Sequence, residues 1–158
     1  MSKITFKINT IKQEQETFDN LKKKVGFYKR YHIRFTWPKK SVKDEYNRSD
    51  YLVFKKWLQK EWQKRENNFL EKIEILFHFK IKKAFEVYIS NYGSGGRYIL
   101  PNLIIINKQL KYDYIKVIKH EIIHLLVEPF IQKYKIEHQH KEKIVNAILE
   151  ILEPNISL

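Results

Sequence analysis

Cysteine is absent from the 158-residue chain. Disulfides and thiolate metal sites are therefore excluded, and any bound metal must be held by His, Asp or Glu. Nowhere do the roughly 18 consecutive apolar residues of a membrane-spanning helix occur, and residues 1–6 open no apolar run of leader type. A cytoplasmic protein with no membrane association is expected.

Arginine is scarce as well. Of 31 basic residues only Arg30, Arg34, Arg48, Arg65 and Arg97 are arginine, although the formal net charge is +13. A pI near 9.7 suits nucleic acid or another anionic partner. Arginine, however, is the side chain that makes bidentate phosphate and base contacts. The joint abundance of Lys, Ile, Asn and Tyr is also what AT-rich coding produces, whatever the function. Nucleic-acid binding is expected to be weak and non-specific, and a monomer with one domain over residues 1–158 is expected from the length.

Against this background one motif stands out: His120-Glu121-Ile122-Ile123-His124, an HExxH pattern. Residues four apart share a helix face, so both imidazoles can reach one tetrahedral zinc ion. Glu121 points elsewhere, where it can take a proton from a metal-bound water. Between His120 and Gln132 there is no lysine, and the ionisable groups are His120, Glu121, His124 and Glu128. Ile115, Ile118, Ile122, Leu125 and Leu126 form one apolar stripe, and Val117 and Val127 flank the histidines on the opposite side. Such a helix suits the floor of a cleft. The plainer alternative is a pair of hydrogen-bonded core histidines.

The rest of the chain reads as a mixture of strands and helices. Ile4, Phe6 and Ile8 alternate as a first strand, and a Thr10/Gln13 capping box opens a helix over about 11–25, with Ile11, Phe18, Leu21 and Val25 inward and Gly26 as its stop. A second strand is expected over 31–37, ended by Pro38, with its odd positions inward and His32 outward. After a polar connection, a long amphipathic helix runs from a cap at Ser49 or Asp50 to Phe77, with a break near Asn67-Asn68. Phe85, Val87 and Ile89 predict a strand. Residues 91–96 hold three of the chain's four glycines and predict a hairpin turn. They lack the Lys-Ser/Thr ending of a phosphate loop, so a nucleotide site is rejected. Residues 98–107 predict a strand at a sheet edge, because Pro101 cannot donate to a central ladder. Asp113 then opens the motif helix, Pro129 closes it, and a last helix covers about 138–152.

A catalytic zinc needs a third protein ligand. Glu128, His138, His140 and Glu142 compete for the role. Glu128 lies two turns from His120, whereas Glu142 shares a face with the inward Val145 and Leu149, which favours Glu142.

With Glu142 included, the stretch resembles the gluzincin zinc peptidases, in which HExxH is followed by a ligand glutamate on a separate helix. The match covers about residues 98–146. The resemblance implies a zincin-like α+β fold: a small mixed or antiparallel sheet with an edge strand over the zinc-bearing helix, N-terminal helices, and a C-terminal glutamate-bearing helix. It also implies a Zn2+ cofactor and a peptide or protein substrate laid along the edge strand. Asn146 stands where the family often has an acidic residue that orients a zinc histidine from behind. Metzincins are excluded, because Val127 and Phe130 occupy the positions of their glycine and third histidine. The expected activity is peptide hydrolysis with Glu121 as general base, Tyr134 or His138 as donor to the developing oxyanion, and Arg97 and Tyr98 at the substrate. The alternative function is a basic intracellular nucleic-acid-binding module with core histidines and no metal.

Overall fold

The alternating pattern at the start of the chain forms a strand as expected: in the computed structural model, which describes residues 2–154, β1 is Ile4–Ile8, with Ile4 and Phe6 buried. α1 follows over Ile11–Arg30, and both halves of the Thr10/Gln13 capping box are made. Gly26 does not stop it. The helix runs on because its inward face is Glu14, Thr17, Leu21 and Tyr28, of which Tyr28 lies beyond the glycine, while Ile11 is exposed.

The expected strand over 31–37 shrinks to β2, Phe35–Thr36. Tyr31 is taken as the C-cap of α1, and His32 adopts a left-handed conformation (φ 54°) that breaks the extended run. A short α2 (Val42–Glu45), capped by Ser41, precedes α3 (Arg48–Gln63) and α4 (Glu66–Phe77). The long helix breaks at Lys64 and Arg65, not at Asn67-Asn68. Leu58, Trp62, Phe69 and Ile73 on either side of the break are fully buried.

Next come β3 (Phe85–Ser90), β4 (Gly93–Ser94), β5 (Gly96–Ile99) and β6 (Leu103–Asn107). The main sheet has the order β1-β3-β6-β5, with β1, β3 and β6 parallel and β5 antiparallel, and β2 pairs with β4 in a separate ribbon. Two expectations change. The glycine-rich stretch is no hairpin, because it joins β3 to β5, and β6 lies between those two strands in the sheet. Instead it leaves the sheet to pair with β2, through Gly93 at φ 92°, and returns as the edge strand β5. Residues 98–107 are two strands, and Pro101 lies in the turn between them. β6 itself is internal, and its Ile104, Ile105 and Ile106 are buried on both faces.

α5 spans Tyr114–Lys133 with Asp113 as its cap, and α6 spans His138–Leu152. Pro129 lies inside α5 and does not end it. The missing N–H removes one bond to Leu125, while the buried Ile131 holds the last turn against the core. Val145, Leu149 and Leu152 bury the inner face of α6, and an ion pair of 2.6 Å from buried Lys119 to Glu153 ties it to α5. The architecture is a small α+β protein with a mixed sheet and, among the described residues, six helices. None of those helices is long and apolar enough to cross a membrane.

At the carboxyl ends of β1 and β3, the fully buried Glu14 accepts from Asn9 Nδ2 (2.9 Å), Ser90 Oγ (3.1 Å) and the Asn91 amide (3.4 Å). Glu14→Ala leaves the Asn9 and Asn91 donors without this acceptor and Ser90 Oγ with only the Tyr92 carbonyl at 3.4 Å. It is expected to cost about 2–4 kcal/mol in urea denaturation, whereas an exposed control such as Glu16→Ala stays within about 0.5 kcal/mol.

Candidate metal centre

The two motif histidines lie on one face of α5, as their spacing dictates, with His124 buried at 2 % exposure. Their Nε2 atoms point at each other, 3.0 Å apart. Glu142, near the start of α6, reaches across to both: Oε2 lies 3.2 Å from His120 Nε2 and Oε1 3.3 Å from His124 Nε2. Donor atoms around a tetrahedral zinc with bonds of about 2.0–2.2 Å are separated by roughly 3.3–3.6 Å, so three contacts of 3.0–3.3 Å need only slight spreading to fit. Such a donor set, two imidazoles and a carboxylate, is also the chemistry that zinc takes. His120, His124 and Glu142 thus fit a metal ion.

Two further observations bear on the alternative of satisfied core histidines. His124 Nδ1 is buried with no hydrogen-bond partner among the described residues. Its ring is instead held by stacking on Tyr98, with centroids 4.8 Å apart and planes at 14°. Asn146 lines the cleft but does not hold that nitrogen.

Glu121 is buried in the same cleft and is not one of the three residues whose donor atoms converge. Burial pushes its carboxyl up to about 7; His120, Lys141 and Arg97 pull in the opposite direction, and Glu142 adds to the rise. Room for it comes from Gly96 on β5, where a Cβ would stand 2.8 Å from Glu121 Oε1 and 2.3 Å from Val117 Cγ1. Burial also raises Glu142, yet the hydrogen bonds and charges of the two histidines win and hold it well below the usual carboxylate range. His120 is raised despite its burial, because Glu142 and Glu121 favour its cation. The deeper His124 is lowered, since desolvation there outweighs Glu142.

The other sequence candidates separate clearly. Arg97 and Tyr98 on β5 and His138 on α6 line the same cleft of about 1080 Å3. His138 Nδ1 lies 3.7 Å from Glu142 Oε1, and its ring is edge-packed on Phe27 (5.1 Å) and Tyr31 (4.9 Å) of α1 and its cap. Tyr134 stands outside the cleft. It caps α5, packs on Phe130 at 4.7 Å and is 57 % exposed. His140 is exposed on α6.

Sequence reasoning missed the roles of Glu128 and Lys141. Glu128 Oε2 accepts from the Tyr98 hydroxyl at 2.6 Å, and Lys141 Nζ donates to the same hydroxyl at 2.8 Å. This bridge joins α5, β5 and α6 around His120, His124 and Glu142. The signal for Glu128 was present, since it is a carboxylate four residues after His124 in a lysine-free stretch; nothing in the linear sequence marked its phenolic partner.

No family model, curated protein or solved structure matches this chain.

Protein purified without chelator is expected to carry about one zinc per chain, and His120→Ala, His124→Ala and Glu142→Ala each to lose it, while Glu128→Ala and His140→Ala retain it. Metal analysis by mass spectrometry checks this. Wild-type protein that stays empty after zinc is offered would return the histidines to a core role.

Glu121 yields a pH expectation for chelator-stripped protein. A carboxyl raised from 4.5 to about 7 by folding costs stability above its folded pKa, and the cost vanishes below its unfolded one. Glu121→Gln should therefore stabilise the stripped protein by roughly 1–3 kcal/mol at pH 8 relative to its effect at pH 4.5. Urea denaturation at the two pH values reads the difference, and equal effects would show that Glu121 is not raised.

Proposed function

We propose that the chain is a zinc-dependent peptidase of gluzincin type with a zincin-like arrangement of one edge strand and two ligand-bearing helices, working in the cytoplasm. The observation that carries this reading is the convergence of His120 and His124 from α5 with Glu142 from α6, beside a buried Glu121. Bound zinc would polarise a peptide carbonyl and lower the pKa of a water toward 7.

The chain's own residues do the rest. Glu121, buried beside the three converging side chains, can accept a proton from a water in the cleft and return it to the leaving amine. Gly96 keeps its carboxyl clear of β5. The backbone of β5 is suited to hold an extended substrate. Asn107 N donates to Gly95 O, so the alternation of an antiparallel ladder turns the amide and carbonyl of Tyr98 to the free edge. An added strand would pair there, which is the usual way a sheet edge captures a peptide. Tyr98, clamped through Glu128 and Lys141 and stacked on His124, couples that edge to the ligand set. His138 lies in the cleft beside Glu142 and serves as the donor to the developing oxyanion.

Glu121→Gln is the decisive variant. It should retain about one zinc per chain and lose cleavage of a mixed peptide pool by roughly 100- to 10,000-fold in kcat/KM. Cleavage at the parental rate would remove Glu121 as the base.

A further inference from the structure

The cleft contains two carboxylates, Glu121 and Glu142, and both are committed to the chemistry. Every other charged group on its walls is a cation. Lys23 and Lys24 of α1, Arg34 beyond it, Lys116 of α5 and Lys143 of α6 all line the cleft, and among the described residues none of the five forms an ion pair. Two more, Arg97 and Lys141, are held by neighbours: Arg97 donates to Thr17 Oγ1 at 3.4 Å and Lys141 to Tyr98. The excess is steeper than the composition of 31 basic to 18 acidic residues supplies.

The cations also surround the metal ligands. Lys116 precedes His120 by one helical turn, Lys141 and Lys143 flank Glu142 in sequence, and Lys23 and Lys24 line the same cleft from α1. Aromatic rings stand between: Phe27 and Tyr31 on one wall, and Tyr112 beneath Arg34, whose Cζ is 5.8 Å from the ring centroid. A cleft of one sign focuses its potential inward, draws in ligands of the opposite sign and rejects those of its own.

We infer that the cleft selects acidic, extended peptide segments, with Asp or Glu side chains on both sides of the bond at the metal and an aromatic or aliphatic side chain against Phe27 and Tyr31. The assignment rests on the peptidase reading above and names its substrate class. A polypeptide fits better than a nucleic acid strand. The free edge of β5 offers the paired amide and carbonyl of Tyr98, which match a peptide backbone and have no counterpart in a phosphodiester chain. Basic segments are excluded by like-charge repulsion, and this chain's own lysine-rich surface is among them.

The test uses the full zinc-loaded chain carrying Glu121→Gln, with fluorescein-labelled peptides as probes. One is acidic with a central Phe, the second is identical with Asn and Gln for Asp and Glu, and a single-stranded RNA 12-mer is the third. The acidic peptide should bind at least about tenfold more tightly than the neutral one at low salt, and the ratio should shrink toward one by about 0.5 M salt. Adding Lys23→Glu, Lys24→Glu and Lys143→Glu should erase the preference while zinc content stays near one per chain. Equal binding of the two peptides overturns the inference, as does RNA binding more tightly than the acidic peptide. Wild-type cleavage of a mixed pool without enrichment of acidic residues around the cut overturns the inference and leaves the peptidase standing. If zinc-loaded wild type cleaves no peptide, the peptidase reading falls and takes the substrate assignment with it.

Discussion

The contact of one carboxylate, Glu142, with two imidazoles on another helix is the constraint around which the protein is arranged. Histidines four apart on α5 define a point in space whatever the rest of the chain does. A third group reaches that point only if α6 is docked at a fixed height and rotation. Val145 and Leu149 set the rotation by burying the face that Glu142 continues, and the Lys119–Glu153 pair fixes the far end. From the other side, β5 is held against α5 by the absence of a side chain at Gly96 and by the stacking of Tyr98 on His124. A buried donor set of this kind is costly without a partner, since two imidazole Nε2 atoms crowd within 3.0 Å of each other and Glu121 is a desolvated carboxyl beside them. Metal binding would offset part of that cost, which is how a site of this type couples to folding.

The electrostatics of the cleft follow from the same arrangement. Arg97 projects from β5 toward α1, where its charge acts on both Glu14 and Glu121. The polar cluster at the carboxyl ends of the parallel strands is therefore connected to the Glu121 carboxyl through one guanidinium. Glu14 keeps the end of β3 tied to α1, and α1 in turn supplies Phe27 and, through its cap, Tyr31 to the packing around His138. Strand, helix and cleft wall are mechanically one unit at this point.

The linear sequence by itself determined a good deal. The alternation at Ile4, Phe6 and Ile8, the capping box at Thr10, the Asp113 cap and the last helix over 138–152 depend on neighbours within a few residues, so local physics decided them. The histidine pair and Glu121 were legible for the same reason, because four-residue spacing on a helix is a local property. The face of α6 that buries Val145 and Leu149 likewise pointed to Glu142.

What only the tertiary structure decided involves partners far apart in the chain. α1 ignores Gly26 because Tyr28 has a core to enter, and it buries Glu14 because Asn9, Ser90 and Asn91 wait there. Residues 91–96 abandon a hairpin because β6 comes to lie between their flanking strands β3 and β5, and α5 passes Pro129 because Ile131 is anchored beyond it. Tyr134 reads as an active-site donor only until the C-terminus of α5 is seen to hold it outside the cleft. Glu128 reads as a rejected ligand until Tyr98 and Lys141 arrive from 30 residues before it and from the next helix. Periodicity reports which face of an element is apolar, but the identity of a polar side chain's partner is set by how the elements dock, and no local signal in the sequence carries that information.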